Sequence, residues 1–187
     1  MMLSLPPRRA RPSGTNTLIP SSRATLRHSG FRRNPENFTQ QRNIMGQQIY
    51  FEDVSEGMEL PVEVRNPTPR QLVQYAGASG DFYEIHYDRN YAQSTGLKDI
   101  IIHGALKNAM LGAYVTGWAG PAGELRRLTV QYRGMDYPDE PITAKGHVTR
   151  VYQEGHFNLV DCTIWLENPE GQQTTPGTAT VHLPSRD

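Results

Sequence analysis

The run Gly80-Asp81-Phe82-Tyr83-Glu84-Ile85-His86 sets a carboxylate and an imidazole five positions apart, directly after a glycine. On one continuous helix that spacing would leave them about 140° apart and unable to meet. On a loop following Gly80 they can converge on one small volume. A carboxylate and a neutral imidazole that share a water can divide acid and base work between them. A plainer assignment stands beside this one: Asp81 closes the turn and His86 is a hydrogen-bonded loop histidine. A second place is Ile100-Ile101-Ile102-His103-Gly104, which leads into an apolar stretch. The first residues of a helix present free N–H groups and the positive end of its dipole. Gly104 has no side chain to shield its N–H from an approaching carbonyl oxygen. Here too a plainer assignment exists: Gly104 permits tight packing, and His103 is a helix-start or packing residue.

These residues need elements to hold them. Ile49–Gly57 reads as a lead-in and Glu59–Asn66 as a first strand, broken by Pro67 and Pro69. Thr68 can cap a short helix running from Pro69 to about Ala78, with proline at its first position. Ala78-Ser79-Gly80-Asp81 makes a turn. Asp88 can cap a second short helix over Asn90–Ser94, closed by Gly96. From His103 to Trp118, Leu106, Ala109, Met110, Ala113, Tyr114 and Gly117 repeat at helical spacing, and Leu111 and Val115 fill the other side. A helix that is apolar nearly all round is a buried one; only Lys107 and Asn108, in its first turn, break the pattern. After Gly120 the period becomes two, with Leu128, Val130 and Tyr132 facing one way. Residues 142–152, 156–167 and 174–183 read as three further strands joined by turns at Gln153-Glu154-Gly155 and Asn168-Pro169-Glu170-Gly171. The pattern is α+β, an antiparallel sheet wrapped around a central helix.

Charge divides the chain. Its 187 residues carry 19 Lys+Arg and 19 Asp+Glu, a formal balance of zero. Residues 1–44 hold eight arginines, no lysine and one acid, Glu36, whereas residues 45–187 hold eleven basic and eighteen acidic residues. The first segment is proline-rich and aperiodic and reads as a disordered extension; a transit peptide or a polyanion-binding arm are the other readings. The second reads as one folded domain. No apolar core of a secretory signal follows the basic residues. A mean hydropathy of −0.61 without a long apolar run excludes a membrane-spanning helix. One cysteine, Cys162, excludes an intramolecular disulfide and a multi-cysteine zinc site, and suits a reducing, cytoplasmic setting. The acidic balance argues against a dedicated nucleic-acid binder.

The run YAGASGDFYEIHYDRNYAQSTGLKDIIIHGALKNAMLGAYVTGWAG resembles the MaoC-like dehydratase, or (R)-specific enoyl-CoA hydratase, family, which has the hot-dog fold. Ser79-Gly80-Asp81, His86 at its offset, and His103-Gly104 match the family's motif; the family's Asn-Pro is Tyr83-Glu84 here, and Gly112 stands near where the family often carries a small hydroxyl residue. The resemblance covers about Tyr50 to His182. It implies reversible addition of water to trans-2-enoyl thioesters of CoA or an acyl carrier. It implies Asp81 and His86 as the proton-transfer pair and the Gly104 N–H as the oxyanion donor, with Ser79, Gly80, His103, Lys107 and Asn108 as substrate-binding positions. No metal or other cofactor is expected, and no nucleic acid or membrane partner. A homodimer is the default expectation, with a related subunit as the variant of it. Arg126, Arg127, Arg133 and Arg150 are the candidate basic patch for an anionic carrier. Three rivals remain: a hot-dog thioesterase using Glu84, a non-catalytic acyl-binding subunit, and a metal site built from Asp81, His86, Asp88 and His103.

Overall fold

In the computed structural model, residues 47–186 are described. The expected extension over residues 1–44 lies outside them. The first long element is helix α1, Pro69–Ser79. The Thr68 hydroxyl accepts from the Gln71 N–H at 3.2 Å, and proline occupies the first turn. Its C-cap, Gly80, is left-handed at φ 76°, a conformation that costs any residue with a Cβ. A single 3-10 turn, Glu84–His86, leads to the short helix α2, Arg89–Ser94, capped by Asp88, whose carboxylate accepts from the Tyr91 N–H.

The central helix α3, Gly104–Ala119, carries no polar stripe: Leu106, Met110, Leu111, Tyr114, Val115 and Trp118 are all buried. Five antiparallel strands curl around it: β1 (Glu63–Arg65), β2 (Glu124–Val130), β3 (Ile142–Glu154), β4 (Phe157–Glu167) and β5 (Gln173–His182), in the spatial order β1-β3-β4-β5-β2. Register places Val148 opposite Cys162, and Ala179 opposite both Cys162 and Leu128. One continuous row of small and branched side chains thus runs across four strands toward α3. Each Leu, Val or Ile removed from water there contributes ~1.5–3 kcal/mol. Cys162 belongs to this row; burial pushes its thiol up to about 12, so it serves as a packing residue. The expected hot-dog arrangement, a sheet wrapped around a central helix, is what the chain adopts.

Two strands end elsewhere than the alternation suggests, and a proline explains each. The first strand pairs with β3 only over Glu63–Arg65, with an isolated bridge between Glu59 and His147 upstream. Pro61, between those two contacts, has no N–H to continue the ladder. In β2 the regular ladder stops at Val130 although the alternation runs on to Arg133. The Gln131 N–H still donates to the Pro176 carbonyl at 2.9 Å, but Pro176 cannot donate in return. Residues 131–134 therefore stay on β5 through one-way bonds only, from Gln131 to Pro176 and from Arg133 and Gly134 to Thr174, and residues 134–136 come to lie beside the start of α3.

Candidate active site

Asp81 and His86 are brought together by the two ends of one short loop. Ser79 Oγ donates to the Tyr75 carbonyl at 2.8 Å and accepts from the Asp81 N–H at 3.2 Å, which fixes the direction in which the chain leaves Gly80. The Asp81 side chain is about half exposed, and His86 is buried. His86 Nδ1 lies 2.7 Å from the Ile101 carbonyl oxygen. A carbonyl only accepts, so Nδ1 carries the proton and neutral His86 keeps its lone pair on Nε2. That Nε2 is 4.0 Å from Asp81 Oδ2. The separation is too long for a direct hydrogen bond and short enough for both groups to reach one oxygen atom.

His103 lies behind this pair. Its ring stacks on that of His86, centroids 3.8 Å apart and planes 20° apart, and is tilted against Tyr75. His103 Nε2 donates to the Asp81 carbonyl oxygen at 3.3 Å. The residue is fully buried, and burial, aided by the neighbouring His86, holds its pKa below the usual 6.5. A neutral imidazole there braces the Asp81 backbone. Gly104 follows immediately as the first residue of α3, so its N–H is one of those a helix leaves without an intrahelical acceptor.

A cleft of about 330 Å³ opens in front of these groups, lined by His86, Gly104, Lys107, Tyr132, Arg133 and Met135 among others. The positions expected to bind substrate divide accordingly. Gly104 and Lys107 face the cleft. Ser79 and Gly80 do not line it; they shape the backbone that aims Asp81. His103 supports rather than faces the cleft, and Asn108 is half-buried on α3 outside the lining. The Lys107 ammonium is itself committed, donating to Asp136 Oδ2 at 2.9 Å and to the Gly134 carbonyl at 2.8 Å. Gly112 packs under Leu128 of β2, away from the cleft lining.

Tyr132, Gly134 and Asp136 were not visible as site residues in the sequence. Strand alternation was the only signal for Tyr132, and there was none for the other two; Tyr132 and Gly134 line the cleft, and Asp136 lies outside the lining as the partner of Lys107. Of the four candidate arginines, Arg133 alone lines the cleft. Arg126 pairs with Glu124 and lies over Phe157, and Arg150 lies over Tyr152. The expected rival metal set also changes. Ligand atoms of Asp81, His86 and His103 fall within 4.8 Å of one another, but Asp88 is occupied as the cap of α2. The stacked, nearly parallel imidazoles do not converge on one point as a metal's ligands would.

Residues 52–165 match the MaoC like domain family. The chain is 31% identical over 119 residues to the beta subunit of 3-oxo-4,17-pregnadiene-20-carboxyl-CoA hydratase from Mycobacterium tuberculosis, covering 64% of this chain and 87% of that one. It is 28% identical over 140 residues to an (R)-specific enoyl-CoA hydratase from Rhodospirillum rubrum, covering 73% and 93%. Among solved structures, the ChsH1–ChsH2 complex of M. tuberculosis aligns at 26% identity with a TM-score of 0.63, over 70% of this chain and 98% of that one. The unliganded R-hydratase PhaJ1 of Pseudomonas aeruginosa, at 24% identity and a TM-score of 0.67, covers 74% and 88% and has the same fold.

Proposed function

The chain belongs to the MaoC-like domain family, and from that premise we propose that it adds water reversibly to trans-2-enoyl thioesters, giving (R)-3-hydroxyacyl thioesters. The observation that carries this reading is the Nδ1–H of His86 held by the Ile101 carbonyl, which turns a basic Nε2 toward the Asp81 carboxylate 4.0 Å away. Water between the two gives up a proton to the pair as its oxygen bonds to C3. The C2–C3 π electrons move onto the thioester carbonyl as an enolate. C2 then takes a proton from the same pair and the carbonyl is restored, so the net change is one water added. The Gly104 N–H, at the positive end of α3, is the donor for the enolate oxygen.

Asp81→Asn and His86→Ala each lower hydration of a short enoyl-CoA by at least ~10²-fold, with melting temperature retained. The assay follows both loss of the conjugated double bond and release of free thiol. Thiol release without loss of the double bond would favour the thioesterase reading instead. Glu84, the residue that reading needs, is exposed and outside the cleft lining.

A second chain of the same family is the proposed partner, another copy or a related subunit. Phe82, Tyr83, Tyr87 and Tyr91 stand 37–57% exposed around the catalytic loop, in edge-to-face contact with one another or with His86. Such a cluster is more apolar than a free surface usually presents. Among the described residues no helix is long and apolar enough to cross a membrane, and a cytoplasmic location is the reading adopted for the enzyme.

A further inference from the structure

The segment that follows the regular part of β2 is tied to the head of α3 from both sides of Gly104. On one side, the Ile102 N–H donates to the Asp136 carbonyl at 2.9 Å. On the other, Lys107 Nζ reaches Asp136 Oδ2 and the Gly134 carbonyl. The Lys107–Asp136 pair is buried, its side chains only 3% and 1% exposed. The Arg133 and Gly134 N–H groups both donate to the Thr174 carbonyl, which holds the same segment to β5. Tyr132, the residue before Arg133, stands on this anchored backbone. A Cβ added at Gly104 would lie 3.2 Å from two atoms of the Tyr132 ring. The ring itself is 54% exposed, its outer face open.

Carbon atoms rest at about 3.5–4.0 Å from one another, so the gap between Gly104 and the ring is already narrower than one methyl group requires. A thioester carbonyl bound at the Gly104 N–H would have its C2 one bond from the carbonyl carbon and thus close to the ring, where a C2 methyl group would need the room that a Cβ on Gly104 lacks. We propose that Tyr132 is the residue that selects enoyl thioesters unsubstituted at C2, and that the buried Lys107–Asp136 pair is the positioning device that keeps its ring against Gly104.

This rests on the hydratase reading of the site, and the test separates the two. The full chain is assayed with crotonyl-CoA and with 2-methylcrotonyl-CoA, and the ratio of their kcat/KM values is compared among variants. Tyr132→Ala lowers that ratio at least tenfold, chiefly through gain on the methylated substrate. Tyr132→Phe, which keeps the ring, leaves it within twofold. Lys107→Met lowers it in the same direction as Tyr132→Ala; combined, the two changes lower it no further than the larger alone. Tyr132 is exposed, so its variants decide the question even if Lys107→Met fails to fold. Turnover of crotonyl-CoA with an unchanged ratio in Tyr132→Ala would overturn the proposal and leave the hydratase reading standing. No turnover of either substrate by the wild-type protein would overturn both.

Discussion

Gly104 permits an unusual substitution, because the residue before it has the geometry proline demands. His103 has φ −54° and ψ 134°, the extended region required ahead of proline, and Gly104 is the first helical position, where proline is favoured. Gly104→Pro deletes the N–H and adds a ring whose Cβ presses on the Tyr132 ring, while Gly104→Ala adds the same Cβ pressure and keeps the N–H, so the pair isolates the N–H from the crowding. If that N–H carries the enolate charge, the proline variant turns over ~10²–10³-fold more slowly than the alanine variant; equal rates would assign the oxyanion to another donor. His103 yields a second expectation. Its pKa is depressed in the fold, so below about pH 6.5 the unfolded chain binds a proton that the folded chain does not. Its contribution to stability is thus full above that pH and is lost as pH falls toward the folded value. His103→Phe loses less melting temperature than wild type between about pH 7.5 and about pH 5; an equal loss would mean that His103 is not the group responsible. At this scale the sequence was legible where chemistry is local. Asp81 and His86 share one loop, so residue type and spacing allowed them to meet, and the match to the family's motif is what favoured that over the plainer assignment. Lys107 does line the cleft, but that its ammonium is held by Asp136 could not be read, because Asp136 lies 29 residues further on with no pattern linking the two.

Elements aim the side chains, and Gly80 is where the aiming is done. At φ 76° it ends α1 and delivers Asp81 into the loop. Gly80→Ala costs ~1 kcal/mol in a urea titration and also lowers kcat, since the strain is relieved by moving the next residue. Gly80→Asn, which tolerates the left-handed region, retains most of both. If alanine at 80 lowered stability alone, Gly80 would be only a helix stop. Helices with their own caps were readable to within a residue or two: Thr68, Asp88 and Gly80 mark ends that local hydrogen bonding decides. The ends of β3, β4 and β5, set by their turns, were readable to the same precision; those of β1 and β2 were not, because with no turn beside it a strand ends where its neighbour stops bonding to it. The alternation through Tyr132 is sound, yet beyond Val130 the bonds to β5 run one way only, since Pro176 has no N–H to return. That non-local change in pairing falls at one wall of the cleft, which is why that wall could not be seen in advance.

Across the whole molecule the concern is charge. Residues 45–187 carry eleven basic and eighteen acidic residues, and a CoA thioester arrives with several negative charges of its own. General repulsion must be offset locally. Among the described residues Arg133 is the one arginine lining the cleft, and its side-chain hydrogen bonds go to the neutral amide of Gln131, so its charge is not cancelled by a carboxylate there. The guanidinium is exposed, so its attraction for a phosphate acts through solvent and is screened by salt. Arg133→Ala should therefore raise KM for a CoA thioester ~5-fold at low ionic strength, where one exposed charge pair is worth about 1 kcal/mol. Near physiological salt, with a Debye length of about 8 Å, the increase should shrink below about twofold, and kcat should be unchanged at both. An increase of the same size at both salt concentrations would mean that Arg133 acts by contact rather than charge. A loss confined to kcat would place it among the groups that orient the reacting atoms, and the docking of the carrier would then have to come from a second chain.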